Sequence, residues 1–436
     1  MTIERHDVIA IGCGPFNLGL AALASTISDL DLVVLEARGE LRWHPGMMVD
    51  GATLQVNFLA DLVSLVDPTH PLSFLNCLRD TDRLYPFYVR ERFHPTRREY
   101  ESYLRWAAAR LPSVRFSHRV EQVRWHAGSG LFLVDVLRGD GAWVRMAARD
   151  LVVGIGTAPF VPPALAGLPP DRCLHTADYL HRKSDVDRVD RVTVVGSGQS
   201  GAEVVLDLLR DAAHGGPTVS WLTRTASFAP LDYSKLVLEM TTPDYVRYFH
   251  SLPAPVRDGL VAEQWRHYKG ISTQTLDDIH DALYQRDLEG RCTGVEFRCG
   301  VEVLTAAADT NDRISMTCRH RDTGRTFVHV TDTVIAATGY RPREPAFLAG
   351  MTPAPRRDEQ GRFVVRLDHS AELADGVTGR IFVPNADLHS HGVAAPDLGV
   401  GAFRNATILN AVTGREVYPL PKRTAYTSFG APGDLS

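Results

Sequence analysis

The sequence predicts an α/β fold with two Rossmann-like dinucleotide-binding domains, the second inserted into the first, plus a small, mostly helical subdomain. Two glycine-rich turns, GCGPFNLG at 12–19 and GSGQSG at 196–201, carry this prediction. Each lies between an apolar strand pattern and a helix-forming run. Without Cβ atoms the backbone can approach a pyrophosphate, and the following helix offers free N–H groups to that anion. Two such turns, each followed by a second strand pattern, indicate a protein that binds two dinucleotides.

The second strand pattern of each unit distinguishes the two dinucleotides. The first, 32–35, is followed by Glu36, whose carboxylate can accept hydrogen bonds from a ribose 2′-OH, as FAD or NAD requires. The other, 219–223, is followed by Arg224, whose guanidinium suits a 2′-phosphate. The alternative for Arg224 is an ordinary solvated strand end. We therefore expect FAD at the first turn and NADPH at the second.

Composition excludes several classes of function. The chain has 436 residues, is 44% hydrophobic and carries a formal net charge of −5, so it lacks the basic field of a nucleic-acid-binding protein. No apolar run reaches the roughly 20 residues that span a bilayer, and no leader pattern precedes the first strand. The six cysteines form no CxxC pair, which argues against a disulfide-reducing flavoprotein. We expect no membrane contact and a reducing, cytoplasmic location.

The order of these patterns predicts a domain division. Residues 1–165 are expected to form the first part of the FAD domain, and 188–325 the NADPH domain. Residues 231–290 lack strand alternation and are expected to form a helical, substrate-binding insertion. A buried strand pattern that ends at Gly339 is expected to return the chain to the first domain, so 326–420 are assigned to its second part.

Seven short motifs together indicate a family. They are GCGPFNL at 12–18, WHPGM at 43–47, LQ at 54–55, DL at 61–62, SFLN at 73–76, GSGQS at 196–200 and ATGY at 337–340. In this order they resemble the microbial flavin-dependent N-hydroxylating monooxygenases of siderophore biosynthesis. The resemblance covers about residues 5–420. Asn17 departs from the GxGxxG pattern, but the family shares that departure.

The resemblance implies a reaction. Members of the family hydroxylate the terminal amine of L-lysine, L-ornithine, putrescine or cadaverine. NADPH reduces FAD, O2 adds to give a C4a-hydroperoxyflavin, and the distal oxygen passes to the neutral amine. Such a site must exclude water, and the amine must lose its proton. No metal is expected, and the histidines within 387–391 are interpreted as loop residues. Family members are commonly dimers or tetramers, so we expect a homo-oligomer.

The resemblance also implies site residues. Gln55 takes the place of a glutamine beside the flavin and nicotinamide, and it is the candidate catalytic residue. FAD contacts fall on Gly12, Gly14, Pro15, Phe16, Asn17, Glu36, Trp43, His44, Gln55, Gly339, Pro396, Asp397 and Leu398. NADPH contacts fall on Gly196, Ser197, Gly198, Gln199, Ser200, Arg224, His267, Tyr268 and Lys269.

The substrate positions depart from the amino-acid hydroxylases. A lysine and an asparagine that hold the substrate α-carboxylate in those enzymes correspond to Ala60 and Leu238. A serine and a second asparagine of the ornithine enzymes correspond to Gly399 and His267. A buried carboxylate without a cationic partner costs several kcal/mol. The sequence therefore favours a substrate without a carboxylate, an unbranched diamine such as putrescine or cadaverine.

Other interpretations remain open at this level. Lys235, or an arginine elsewhere in the chain, could supply the missing cation, which would restore L-lysine or L-ornithine as the substrate. Glu239 and Asp232 are candidates to hold the far, cationic amine of a diamine. A Baeyer–Villiger or S-oxygenating flavin monooxygenase shares both dinucleotide domains, but its linker motif is only a degenerate trace here. A non-catalytic redox sensor is the more distant alternative.

Overall fold

The computed structural model describes residues 3–211, 216–309 and 313–432. The strands are β1 (Glu4–Ile11), β2 (Leu32–Leu35), β3 (Val114–Arg115), β4 (His118–His126), β5 (Leu131–Arg138), β6 (Trp143–Val153), β7 (Thr157–Pro159), β8 (Cys173–His175), β9 (Arg191–Val195), β10 (Thr218–Leu222), β11 (Glu296–Arg298), β12 (Val301–Ala308), β13 (Ile314–His320), β14 (Thr326–Thr331), β15 (Thr333–Ala336), β16 (Tyr340–Pro342) and β17 (Arg380–Phe382). The helices are α1 (Pro15–Ala24), α2 (Phe74–Asp80), α3 (Leu84–Arg90), α4 (Arg97–Ala108), α5 (Pro163–Ala166), α6 (Lys183–Val186), α7 (Gln199–Asp211), α8 (Lys235–Leu238), α9 (Pro243–Ser251), α10 (Ala254–Glu263), α11 (Arg266–Lys269), α12 (Thr273–Leu288), α13 (Leu388–His391) and α14 (Gly401–Thr413). Within the described ranges, no helix combines the length and apolar character needed to cross a membrane.

The first sheet has the strand order β3-β2-β1-β6-β5-β4, with β17 also paired to β6. Strands β2, β1 and β6 run parallel, and β4 to β6 form an antiparallel layer. Side chains alternate along β1, so Val8 faces a core built with α1, α4 and α14, while Ile9 faces the antiparallel layer. Pro15 begins α1 at a position where its fixed φ suits the helix and its missing N–H costs nothing.

The second sheet is parallel, with the order β11-β10-β9-β15-β8. Two of its strands lie outside the range 188–325 that the sequence suggested: β8 comes before it and β15 after it. Strand β15 was expected to return the chain to the first sheet, but it pairs with β9, for example Ile335 with Val194. A buried four-residue strand pattern carries no signal for its sheet, whereas β17 does rejoin the first sheet through β6.

The segment between β10 and β11 is helical, as predicted, and contains α8 to α12. Its last helix packs on α7 of the second domain. The Gln199 side chain fixes this contact, because its Nε2 donates to Thr275 Oγ1 at 3.0 Å and its Oε1 accepts from Ser272 N at 2.8 Å. Helices α9 and α10 instead pack around α13 of the first domain. The small helical subdomain thus bridges the two dinucleotide-binding domains.

The WHPGM loop, 43–47, joins the domains on the other side. A Cβ on Gly46 would lie 1.8 Å from the carbonyl oxygen of Ala177, and Leu180 N donates to Gly46 O at 3.0 Å. Only glycine permits this approach. Nearby, Arg97 of α4 and Glu203 of α7 form a buried ion pair of 3.2 Å across the domain boundary.

Candidate active site

The first glycine-rich turn has the geometry of a pyrophosphate-binding turn. Gly12 adopts φ +91°, and a Cβ there would lie 2.6 Å from Gly154 O. Gly14 caps α1, and no protein atom lies within 4 Å of the position its Cβ would take. Asn17 Nδ2 donates to Ile11 O at 3.1 Å and Gly12 O at 2.8 Å. The asparagine therefore ties the turn to the end of β1 and leaves the space beside Gly14 open.

Glu36 lies against this turn at the end of β2. One carboxylate oxygen accepts from Cys13 N at 2.8 Å and the other from Arg38 N at 2.9 Å. Each oxygen keeps a second lone pair, so the carboxylate can also accept from a ribose hydroxyl. This arrangement fits the role expected of Glu36 toward FAD.

The remaining residues expected to contact FAD come from distant parts of the chain. Pro15, Phe16 and Leu398 line one small cavity together with Asp61, Leu62, Tyr100, Gly401 and Asn405. His44 adopts a left-handed conformation, and its ring packs edge-on against Trp43 and Tyr340. Gly339, at φ +80°, accepts hydrogen bonds from His175 Nε2 and from Phe160 N. Pro396 is exposed beside them.

Gln55 is the candidate catalytic residue, and its side chain is half-buried. Its Nε2 atom is fully buried and has no hydrogen-bond partner among the described residues. A buried amide donor left unpaired costs about 1–3 kcal/mol. Such an atom fits a position where a bound cofactor or substrate supplies the acceptor.

The second glycine-rich turn is equally constrained. Gly196 adopts φ +122°, and a Cβ would lie 2.2 Å from Ala337 O. A Cβ on Gly198 would meet only Lys269 O, at 3.8 Å. Ser200 lies in the first turn of α7. The side chain of Gln199 is occupied in holding α12, so only its backbone N–H can meet a phosphate.

Cationic and polar groups gather at the end of β10. Arg224 is exposed there, and the next residue, Thr225, shares a hydrogen bond of 3.0 Å with Ser197 Oγ of the turn. Burial and the nearby charge of Arg224 lower the pKa of Lys269. The Lys269 ammonium also lies 4.9 Å from the ring centre of Tyr268. These groups suit the phosphates of NADPH.

His267 was predicted both for NADPH and for the substrate. Its Nδ1 atom is buried and has no hydrogen-bond partner among the described residues. Like Gln55, it therefore presents a polar atom that a ligand could satisfy.

The predicted substrate positions Ala60 and Gly399 lie together. A Cβ on Gly399 would be 4.0 Å from that of Ala60 and 3.0 Å from Asp397 Oδ1. The same Asp397 oxygen accepts from Gly399 N at 2.6 Å. Burial raises the pKa of Asp397, while the hydrogen bond from Gly399 and the charge of buried Arg404 oppose that rise. Burial also raises the pKa of Tyr233, and the charge of Asp397 adds to this effect.

Asp397 had been interpreted only as an FAD contact. Its proximity to Ala60 joins segments more than 300 residues apart, so no local sequence signal revealed it. Asp397 thus places a carboxylate beside two of the predicted substrate positions.

Glu239, the other candidate for the far amine, already has hydrogen-bond partners in the C-terminal segment. Its two carboxylate oxygens accept from Tyr426 N at 2.9 Å and Thr427 N at 2.8 Å, so it anchors the C-terminal segment. These hydrogen bonds lower its pKa. Asp232 accepts from Ser234 N at 3.0 Å in a local turn. Leu238 is 38% exposed on α8, and Lys235 of the same helix is exposed.

One buried cluster has residue types that bind metals. Ligand-type atoms of His369, Asp387 and His391 lie within 4.8 Å of one another. His391 was expected to lie in a loop, but it belongs to the short helix α13. The two imidazole rings are stacked at 4.1 Å, so their lone pairs run side by side and do not converge on one ion. Although burial opposes it, Arg404 and His391 keep the pKa of Asp387 low. The arrangement is that of a hydrogen-bonded charge network.

Two glycine-rich turns, a ribose-binding carboxylate and a half-buried glutamine define a flavin-dependent oxidoreductase with two dinucleotide-binding domains. Comparison with known families identifies it further. Residues 4–342 match the L-lysine 6-monooxygenase/L-ornithine 5-monooxygenase family, and the chain belongs to that family. The predicted family, fold class and enzyme class are thereby confirmed.

Three relatives illustrate the similarity. A putrescine N-hydroxylase of Shewanella oneidensis is 40% identical over 426 residues, which cover 97% of this chain and 84% of that protein. The crystal structure of an FAD-bound cadaverine monooxygenase, from the desferrioxamine biosynthetic pathway of Erwinia amylovora, is 38% identical, covers 99% of both chains and has a TM-score of 0.94. An ornithine N-hydroxylase of Kutzneria sp. 744, with reduced FAD, NADP+ and L-ornithine, is 27% identical with a TM-score of 0.87, and covers 94% of this chain and 99% of that one.

Proposed function

We propose that this protein is an FAD- and NADPH-dependent monooxygenase that hydroxylates a terminal primary amine of an aliphatic diamine, putrescine or cadaverine. Its product would enter hydroxamate siderophore biosynthesis. The observation that carries the proposal is the wall formed by Ala60, Gly399 and Asp397, where a carboxylate lies beside two small residues. The relatives named as a putrescine N-hydroxylase and a cadaverine monooxygenase support the same choice.

The charge of this wall favours a diamine over an amino acid. The α-carboxylate of lysine or ornithine would face the Asp397 carboxylate. The charge of buried Arg404, which acts on both Asp397 and Asp387, would offset that repulsion only in part. The far ammonium of a diamine would instead gain the Asp397 carboxylate as its partner. Hydroxylation of L-lysine or L-ornithine is the alternative. It requires a cation that binds the substrate α-carboxylate beside Asp397, and no described lysine or arginine forms an ion pair with Asp397.

The two glycine-rich turns would hold the cofactors. Gly14 leaves room for the FAD pyrophosphate and Glu36 accepts from the ribose, while Gly198 and Arg224 would receive NADPH. Bound FAD, once reduced by NADPH, supplies the activation of O2 for this reaction. The open space beside Gly14 and the unpaired amide of Gln55 are features of this chain that fit such a cofactor.

The protein's own groups orient the amine. Asp397 would hold the far ammonium, which fixes the position of the reacting nitrogen at the other end of the chain. Gln55 Nε2 can donate a hydrogen bond at the reacting centre without itself changing charge. The reacting amine must be neutral, and the apolar side chains around Ala60 favour that form by excluding water.

We propose a homo-oligomer, dimer or tetramer, in the cytoplasm, with the amine and O2 as small-molecule partners. Helix α3 exposes Tyr85, Tyr88 and Val89, an apolar surface suited to contact with another subunit. All six cysteines are free thiols, which suits a reducing compartment. Light scattering on the purified protein measures the subunit number directly.

The proposal is tested by supplying enzyme, FAD and NADPH with putrescine, cadaverine, L-lysine and L-ornithine in separate reactions. Hydroxylamine product and NADPH consumed are both measured. Hydroxylamine from a diamine, in near-equal amount to NADPH oxidised, is the expected result. Product from an amino acid but from neither diamine would retain the enzyme class and overturn the substrate.

A further inference from the structure

A hairpin of the second domain brings another arginine to the end of β10. The turn between β13 and β14 contains Arg321, whose backbone N–H donates to Gly300 O at 2.7 Å. Gly300 N in turn donates to Thr225 O at 2.8 Å. The Arg321 side chain reaches across this contact, and its Nη1 donates to Arg224 O at 3.1 Å. The two guanidinium groups thus belong to one local arrangement beside the second glycine-rich turn.

The charges here are unbalanced. Neither Arg224, Arg321 nor Lys269 forms an ion pair with any acidic residue among those described. Two other arginines differ, because Arg298 of β11 pairs with Glu296 and Arg319 of β13 lies 2.7 Å from Glu302. An acid, Asp322, is present here, since its Oδ2 lies 3.9 Å from the position that a Cβ on Gly300 would take, but it forms no ion pair with these three cations among the described residues. Cations left unpaired repel one another, and a bound anion relieves that repulsion.

Hydroxyl groups complete the arrangement. Thr225 Oγ1 lies 3.0 Å from Ser197 Oγ and 2.8 Å from Thr223 Oγ1, so a small polar network connects the end of β10 to the glycine-rich turn. Hydroxyls and guanidinium N–H groups together are the donors that proteins direct at phosphate oxygens.

We propose that Arg321 is a second guanidinium for the 2′-phosphate of NADPH and shares with Arg224 the choice of NADPH over NADH. This proposal rests on the proposed use of NADPH. One N–H of Arg321 is committed to the Arg224 carbonyl, which fixes the plane of the group and leaves other N–H donors for the phosphate. Arg224 alone then does not set the preference, and its loss leaves part of the selectivity in place.

The test compares Arg321→Ala, Arg224→Ala and the double variant with Arg319→Ala. Arg319 is the matched control, because it lies two residues away on the same hairpin and its removal changes the charge equally. Anaerobic reduction of the bound flavin is followed with NADPH and with NADH, so amine hydroxylation is not part of the readout. Binding of adenosine 2′,5′-bisphosphate and of 5′-AMP is measured alongside.

With Arg321→Ala we expect the apparent affinity for NADPH and for the bisphosphate to fall about tenfold, the loss of one charge-assisted contact. NADH and 5′-AMP should bind as before, and the double variant should lose the preference. Equal losses for NADPH and NADH would assign Arg321 a structural role only, and an unchanged NADPH affinity would place it away from the phosphate. If the unaltered enzyme reduced its flavin no faster with NADPH than with NADH, the proposed use of NADPH would itself be wrong.

Discussion

Replacement of Asp397 by asparagine removes the charge that we assign to the far ammonium while keeping the side-chain shape. The asparagine Oδ1 can still accept from Gly399 N, which Asp397 does at 2.6 Å, so the local turn should persist. Two unit charges 4 Å apart attract by about 4 kcal/mol at an effective dielectric constant of about 20. An amide oxygen recovers about 1 kcal/mol as a neutral hydrogen bond. The net loss is about 2–3 kcal/mol, or roughly 30- to 150-fold in kcat/KM.

The assay compares putrescine with butylamine, which lacks the far ammonium. The unaltered enzyme should prefer putrescine by about the same factor, whereas Asp397→Asn should use the two amines with similar kcat/KM. Because burial raises the pKa of Asp397, the diamine KM of the unaltered enzyme should rise as the pH falls through that pKa. The asparagine variant should lack this limb of the pH profile. A variant that retained its preference for putrescine would refute the assignment.

Four further substitutions give separate tests. Gly14→Val should abolish FAD binding, measured by flavin absorbance. The Tm should change little, because the added Cβ meets no atom of the described residues within 4 Å. Gly12→Val should also disrupt the turn, because its Cβ would clash with Gly154. Ala60→Lys places a cation beside Asp397. Its repulsion of the far ammonium of the diamine should lower kcat/KM about tenfold or more. Full activity would show that Ala60 does not face the substrate. Glu239→Gln should change the diamine KM by no more than about twofold, but it should increase proteolysis of the C-terminal segment. A large increase in KM would indicate that Glu239 contacts the substrate.

Local patterns predicted much of the fold. Strand, glycine-rich turn and helix follow one another within 20 residues at both dinucleotide sites, so the sequence alone indicates them. The sheet that receives a strand depends on distant pairing, and β15 was therefore assigned to the wrong sheet. Its four residues, Thr333–Ala336, are all buried and carry no signal that distinguishes the two sheets.

The same distinction applies to the site. Gln55, Glu36 and Arg224 follow short motifs or strand ends and were named from the sequence. Asp397 and Arg321 were not recognised in these roles, because tertiary contacts alone bring them beside Ala60 and Arg224. The contacts of Glu239 were missed for the same reason. Its place in the helical segment suggested a pocket residue, but a tail nearly 190 residues further along engages both of its oxygens.

A competition between cadaverine and L-lysine tests the central claim most directly, since the two substrates differ only by the α-carboxylate. Both are supplied at equal concentration to one reaction with NADPH and O2, and the two hydroxylamines are separated and quantified. Their ratio gives the ratio of kcat/KM values. A pocket that bears Asp397, and has Ala60 where the amino-acid hydroxylases have a lysine, predicts a large excess of N-hydroxycadaverine. Equal amounts, or an excess of N6-hydroxylysine, would contradict the account.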